Sequence, residues 1–284
     1  MDRFKQPMSW KPNPELDFDD PEKNDWHAHY ESVNDDDSGK DSDEFSIDDS
    51  ARACFSETRN HFLPVHYTPS YNYPLIVWLH SNGYNENQID HVMPYISTRN
   101  YIGVGVRASK AADAVGHRFD WHQSAFGIAA TQESIVDSVE ETIERFSINT
   151  DRIIIAGYCE GGTMALRIAM REPDRFAGAI SVGGRMPAGS LRNLNLLRER
   201  RMPMLWQWCE ENADYTDANF KSDCLGAMAA GCRVDVRQYP GHDEMDTVVL
   251  RDIDDWIMRQ IVTSSTAAAD SDRWNSSPTA YSSN

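Results

Sequence analysis

A cysteine that could act as a nucleophile stands near the middle of the chain. Ile153–Ala156 is a short apolar run of the kind found in strands buried on both faces, and the hexapeptide GYCEGG of residues 157–162 follows it directly. The residues after it have the apolar period of a helix. A glycine–x–nucleophile–x–glycine turn between a strand and a helix makes the central side chain project outward, at a helix N-terminus that favours an anion. We therefore predict that Cys159 is a nucleophile that reacts as its thiolate.

The segments around this turn alternate between strands and helices. Short apolar runs predict six strands, at residues 75–79, 102–106, 151–156, 176–182, 204–208 and 234–239. Helical spacing predicts helices at residues 87–97, 128–146, 161–170, 218–229 and 248–261. Such alternation is typical of a mostly parallel sheet with helices on both faces, whose chemistry lies at the carboxyl ends of the strands. The sequence thus predicts an α/β fold with Cys159 at the functional edge of its sheet.

Composition divides the 284-residue chain into three parts. Residues 1–50 hold sixteen acidic and five basic residues, which gives a net −11 of the chain's −18. High charge and the absence of an apolar period predict a disordered acidic arm over residues 1–58. A run of small and polar residues predicts a disordered tail over residues 263–284. The folded α/β domain is therefore expected at residues 59–262.

Composition also disfavours several classes of protein. The negative charge argues against nucleic acid as a partner, because phosphate binding needs a basic face. The chain has no run of 18 or more apolar residues, so no membrane span is expected, and its first residues lack the apolar core of a secretory signal. The five cysteines are scattered and odd in number, which disfavours a disulfide framework and a zinc site. We expect a cytoplasmic protein.

Residues 72–262 resemble the phospholipase/carboxylesterase branch of the α/β-hydrolases. The resemblance rests on HSNG at residues 80–83, Arg107 with the later FDW at 119–121, the GYCEGG turn, and PGH at 240–242, in the order of that branch. The turn is also similar to that of dienelactone hydrolases, a related branch that uses cysteine. The resemblance implies the α/β-hydrolase fold and an activity on carboxylic esters or related acyl bonds.

The resemblance also implies partners for Cys159. His242 falls where the family has its catalytic histidine, which exchanges protons with the nucleophile and the leaving group. The family's orienting acid follows the strand at 204–208, commonly as Gly-x-x-Asp; here that position is Asn212, and Asp214 comes two residues later. Spacing favours Asn212 and chemistry favours Asp214. Both stay open, because a thiolate–imidazolium pair can be oriented by an asparagine.

An oxyanion hole built from two backbone N–H groups is the remaining implied part. Glu160, directly after the nucleophile, would supply one, and Ser81 or Asn82 the other. The family usually has His-Gly at the start of the second loop, so Ser81 departs from it. A carboxylate pointing at the nucleophile would raise the thiol pKa, so we expect the Glu160 side chain to turn away, toward Arg107 or Arg185.

Three functions are consistent with these residues. The first is hydrolysis of a small carboxylic ester through a covalent Cys159–His242 mechanism. The second is lactone opening of the dienelactone-hydrolase kind, and the third is an inactive relative of the hydrolases that binds a small ligand or a protein. The two hydrolytic functions take a small-molecule ester or lactone, and neither needs a metal or other cofactor.

Overall fold

The chain alternates between strands and helices, as predicted. The computed structural model describes residues 59–188, 194–212, 215–241 and 245–259, all within the unit Ala53–Asn284. The strands are β1 (Arg59–Phe62), β2 (Tyr73–Leu79), β3 (Ile102–Val106), β4 (Lys110–Ala111), β5 (Phe119–Asp120), β6 (Ile148–Tyr158), β7 (Gly178–Val182), β8 (Pro203–Cys209) and β9 (Arg233–Tyr239). The helices are α1 (Gln88–Ile96), α2 (Ala125–Arg145), α3 (Glu160–Arg171), α4 (Leu194–Arg200), α5 (Asp217–Ala229) and α6 (Thr247–Ile257). The predicted acidic arm and tail lie outside the described residues.

Seven of the strands form one sheet, in the order β1-β3-β2-β6-β7-β8-β9. β1 runs antiparallel to β3, and every other neighbouring pair in this sheet is parallel. β4 and β5 form a separate antiparallel ribbon. The mostly parallel sheet confirms the predicted fold class. Because parallel strands end at the same edge, the residues that follow β2, β6, β8 and β9 are brought to one side of the molecule.

The sheet is held by apolar side chains on both of its faces. Alternate residues of a strand face opposite sides, so neighbours in β2 and β6 enter different clusters. Val77 and Ile155 pack on the side that includes buried residues of α2, α3 and α5. Ile76 and Ile154 pack on the side that includes buried residues of α1 and α6. This two-sided burial explains why the central strands read as continuous apolar runs.

The elements that the sequence patterns missed are short or polar. β1 has the sequence RNHF, is half-buried at the end of the sheet, and is held by an ion pair from Arg59 to Glu141 of α2. β4 and β5 have two residues each. Such elements form through pairing with distant residues, and no local apolar period marks them. Among the helices that the structure describes, none is long and apolar enough to cross a membrane.

Tight packing beside β3 fixes the turn that leads into α1. The α-carbon of Gly105 faces the backbone carbonyl of Glu86, and a side-chain carbon there would overlap that oxygen. The Glu86 carboxylate, which is 5% exposed, forms an ion pair with Arg107, whose Nε donates to Oε2 at 2.6 Å. The Arg107 guanidinium also lies over the Phe119 ring, 4.8 Å from its centroid. The carboxyl end of β3 is thus tied to the turn before α1.

We predict opposite effects of adding a methyl group at two glycines. Gly105→Ala should lower the free energy of unfolding by about 1–3 kcal/mol, because its new carbon meets fixed backbone. Gly226→Ala, in α5 with open space around it, should raise that free energy by up to about 1 kcal/mol. Denaturant unfolding measures both. A Gly105→Ala protein as stable as the wild type would contradict the packing described for β3.

Candidate active site

The turn between β6 and α3 holds Cys159 in a backbone conformation that L residues rarely adopt. Its φ is 48° and its ψ is −117°. Its N–H donates to the Val182 carbonyl at 2.8 Å, and its carbonyl accepts from the Thr163 N–H at 3.0 Å. The side chain is half-buried at the N-terminal end of α3. A strained residue at a strand-to-helix turn is the geometry of a nucleophile elbow.

The glycines of GYCEGG allow three backbone segments to meet at this turn. A side-chain carbon at Gly161 would overlap the carbonyl oxygens of Leu79 and His80, at the end of β2. One at Gly157 would overlap the backbone of Gly161, and one at Gly162 would stand 2.7 Å from the Ser181 hydroxyl. The N-terminus of α3 is therefore pressed against the ends of β2 and β6. A side-chain carbon at Gly157 or Gly161 would therefore require the backbone to shift.

Residues 80–83, here called the oxyanion loop after the role that the sequence predicts for them, follow β2 beside this turn. The Ser81 N–H donates to the Gln88 side-chain oxygen at 3.3 Å, and the Gln88 amide donates to the Ser81 hydroxyl at 3.3 Å. Within the described parts of the chain, the Asn82 N–H makes no hydrogen bond. Of the two donors that the sequence left open, the Ser81 N–H is therefore already bonded to Gln88, the first residue of α1. Asn82 is the one with an N–H to offer a ligand.

His80 controls the direction of that N–H. The buried ring accepts a hydrogen bond from the Ala108 N–H at its Nε2 (3.0 Å), so Nδ1 carries the proton and donates to the Ser81 carbonyl at 2.6 Å. Burial lowers the pKa of His80 to about 4, although the bond to Ser81 and the nearby Glu86 carboxylate act in the opposite sense. Because the N–H of a trans peptide points away from its C=O, holding the Ser81 carbonyl aims the Asn82 N–H the other way.

The loops after β8 and β9 are joined at the same edge of the sheet. The Glu210 N–H donates to the Tyr239 carbonyl and the Glu211 N–H donates to the Gly241 carbonyl, each at 3.0 Å. These bonds continue the β8–β9 pairing beyond the ends of both strands. They fix the backbone immediately before Asn212 and His242, the residues for which the sequence predicts catalytic roles.

Asn212 lies in a tight turn of its own. Its side-chain oxygen accepts from the Tyr215 N–H at 3.0 Å, in the manner of asparagine-stabilised turns. The Tyr215 carbonyl in turn accepts from the Trp208 indole at 2.9 Å. Asp214 and His242 lie outside the described residues, so the structure brings together Cys159 and the oxyanion loop but does not test the other two predicted members.

Each of the two arginines expected near Glu160 contacts another residue of the chain. Arg107 forms its ion pair with Glu86, as described above, and the expectation that the Glu160 side chain turns toward Arg107 or Arg185 stays a prediction. The sequence could not reveal the ion pair with Glu86, because Glu86 comes from a different turn. The Arg185 guanidinium lies over the Tyr215 ring, 5.4 Å from its centroid.

Cys159 differs from the other thiols in its surroundings. Among the four cysteines that the structure describes, Cys159 is half-buried, whereas Cys209, Cys224 and Cys232 are buried. Burial raises the pKa of both Cys224 and Cys232 to about 11, so these two thiols are neutral at pH 7. Cys159 is therefore more exposed than the other three described cysteines.

Two solved structures share this fold. SOBER1 from Arabidopsis thaliana is 17% identical, with a TM-score of 0.54 over 66% of this chain and 98% of that chain. The Bacillus cereus carboxylesterase is 12% identical, with a TM-score of 0.54 over 73% of this chain and 96% of that chain. At such identities the likeness is one of fold.

The family model described as Phospholipase/Carboxylesterase matches residues 107–261, more than half of the chain. The chain therefore belongs to the phospholipase/carboxylesterase family. It is also 42% identical to "Putative esterase NocK" of Nocardia uniformis subsp. tsuyamanensis over 50 residues, which are 18% of this chain and span 14% of that protein's length. These findings confirm the predicted α/β-hydrolase fold and the predicted membership of the phospholipase/carboxylesterase branch.

The buried neutral state of His80 predicts a pH-dependent stability. In the unfolded chain this histidine takes up a proton below its ordinary pKa of 6.5, whereas in the folded protein its pKa is about 4. The free energy of unfolding should therefore fall between pH 6.5 and pH 4, by up to about 3 kcal/mol from this group, and no further below that range. Urea unfolding at several pH values measures the slope.

His80→Gln should lack this contribution and show a shallower slope over the same interval. His117→Gln changes an exposed histidine and should follow the wild type. Equal slopes for the wild type and His80→Gln would show that the folded protein does not hold His80 neutral.

Proposed function

We propose that this protein hydrolyses carboxylic esters of small molecules with Cys159 as the nucleophile. The observation that carries the proposal is the backbone at Cys159, with its positive φ. A strained residue of this kind costs about 1–3 kcal/mol, and such strain concentrates at functional sites. A cysteine that only filled space would gain nothing from projecting at the N-terminus of α3.

The proposed reaction has two steps. The Cys159 thiolate attacks the ester carbonyl, and the tetrahedral intermediate collapses to a thioester while the alcohol leaves with a proton from the His242 imidazolium. A water molecule, deprotonated by His242, then attacks the thioester and releases the carboxylic acid and the thiolate. The N–H groups of Glu160 and Asn82 would stabilise the negative oxygen in both steps.

We propose Asp214 as the residue that orients His242. The bond between the Glu211 N–H and the Gly241 carbonyl supports a short distance between the loops that follow β8 and β9. Asn212 follows Glu211 in sequence, and His242 follows Gly241. Asn212 already uses its side-chain oxygen for the Tyr215 N–H. A carboxylate also stabilises an imidazolium better than an amide does.

Alkylation should identify the reactive thiol. In a Cys54→Ala background at pH 7.5, iodoacetamide should modify Cys159 well before Cys224 or Cys232, because burial and a pKa of about 11 protect those two. Peptide mass mapping over time measures the order. The same assay with an activated ester such as p-nitrophenyl acetate should give an acetyl adduct on Cys159.

Cys159→Ala should lower esterase turnover by about a thousandfold or more, whereas the matched Cys224→Ala should leave it unchanged. Full esterase activity in Cys159→Ala would contradict the proposed nucleophile. Faster turnover of a small anionic lactone than of aryl esters would make a lactone the substrate. If Cys159 forms no adduct with any ester, the protein is a binding relative of the hydrolases.

Variants at the two candidate orienting residues should separate their roles. Asp214→Ala should lower kcat by about 10- to 100-fold without a change in melting temperature, since a thiolate–imidazolium pair depends only partly on a carboxylate. Asn212→Asp keeps a turn-forming oxygen and should retain activity, whereas Asn212→Ala should lower the free energy of unfolding by about 1 kcal/mol. The reverse pattern, with activity lost in Asn212→Ala and kept in Asp214→Ala, would assign the role to Asn212.

A further inference from the structure

Residues 119–121, here called the clamp, hold the far end of the oxyanion loop. The Gly83 N–H donates to the Phe119 carbonyl at 3.0 Å and also lies 3.1 Å from Oδ1 of Asp120. The Phe119 N–H donates back to the Tyr84 carbonyl at 2.9 Å, which completes an antiparallel bridge between these two residues. The proposed mechanism assigns no role to any residue of the clamp.

Trp121 holds the other end of the loop at two points. Its indole Nε1 donates to the His80 carbonyl at 2.6 Å, and its backbone N–H donates to the side-chain oxygen of Asn82 at 3.0 Å. Its ring lies against the His80 ring, with the centroids 4.9 Å apart, and is 3% exposed. Trp121 therefore contacts the residues on both sides of Ser81.

These contacts bracket the peptide that carries the Asn82 N–H. The preceding peptide joins His80 to Ser81. Its carbonyl, on His80, accepts from the Trp121 indole, and its N–H, on Ser81, donates to the Gln88 side-chain oxygen. The peptide that carries the Asn82 N–H has its carbonyl on Ser81, and this carbonyl accepts a hydrogen bond from the His80 ring. The Asn82 side chain, on the far side, is held by Trp121. With the neighbours fixed, the N–H has one direction available to it.

We propose that Trp121 is a positioning residue that keeps the Asn82 N–H aimed at the oxygen of the tetrahedral intermediate. The inference rests on the proposed function, since it concerns the charge that develops during acylation of Cys159. A donor that is already in place when the charge forms costs no reorganisation, and losing one such donor costs about 100- to 1,000-fold in rate. A donor that is present but no longer held in one direction should lose part of that rate enhancement.

Two reactions of the same thiol separate this role from a structural one. Acylation by p-nitrophenyl acetate passes through a tetrahedral carbon with a negative oxygen, so it needs the donor. Alkylation by iodoacetamide displaces iodide at a saturated carbon and forms no such oxygen. A residue that positions the donor affects the first reaction alone, whereas a residue that merely supports the elbow affects both.

Trp121→Phe removes the indole N–H and keeps most of the buried ring. It should lower the maximal acylation rate constant, measured from the p-nitrophenolate burst, by about tenfold or more. The alkylation rate and the ester concentration that gives half of the maximal burst rate constant should stay unchanged. Asn82→Ala keeps the backbone N–H but removes the anchor for the Trp121 N–H. It should show the same split and serves as a second test at a half-buried position.

Trp256→Phe is the matched control. Trp256 is as buried as Trp121 and donates its indole N–H to Asp235 at 2.8 Å, away from the elbow. Both rates should stay at the wild-type value in this variant. Unchanged acylation in Trp121→Phe, equal losses in the two reactions, or an equal acylation loss in Trp256→Phe would each overturn the positioning role. A wild-type protein that is alkylated at Cys159 but never acylated would instead overturn the proposed function.

Discussion

The approach of α3 to the end of β2, backbone against backbone, is the constraint on which the rest of the site depends. Gly161 stands against the carbonyls of Leu79 and His80, with no room for a side-chain carbon between them. That contact brings the helix N-terminus over the start of the oxyanion loop. It also makes the turn so short that Cys159 must take a positive φ. Cys159 and the oxyanion loop are therefore neighbours because of main-chain packing alone.

Hydrogen bonds from the buried side chains of His80 and Gln88 then fix the conformation of the oxyanion loop. A buried histidine is stable here because both of its ring nitrogens have backbone partners, Ala108 and Ser81. The buried Gln88 binds the Trp78 indole, at 2.9 Å, as well as the Ser81 hydroxyl and N–H. In a low-dielectric interior such bonds hold their geometry firmly, because a broken one leaves an unpaired polar group. The oxyanion loop beside Cys159 is thus held by several buried hydrogen bonds.

The sequence could predict the parts of this arrangement that have local causes. The turn around Cys159 and the buried strands that flank it show in the apolar runs and glycine spacing. The polar strand β1 has no such pattern, and its place depends on pairing with β3. The choice between Ser81 and Asn82 depends on Gln88, a side chain on the following helix. The partner of Arg107 was missed for the same reason, since Glu86 meets it only after folding. Trp121 was linked to the family only as part of FDW, and its indole bond to His80 needs the three-dimensional loop to be seen.

The backbone at Cys159 has a further consequence for engineering this chain. Glycine adopts a positive φ without strain, so glycine is the residue that the turn itself would accept most easily at this position. Thermal robustness and chemistry are therefore opposed at one site, and a library selected for heat resistance alone would enrich proteins that have lost the thiol. Any stabilisation campaign on this fold needs turnover as a second selection criterion.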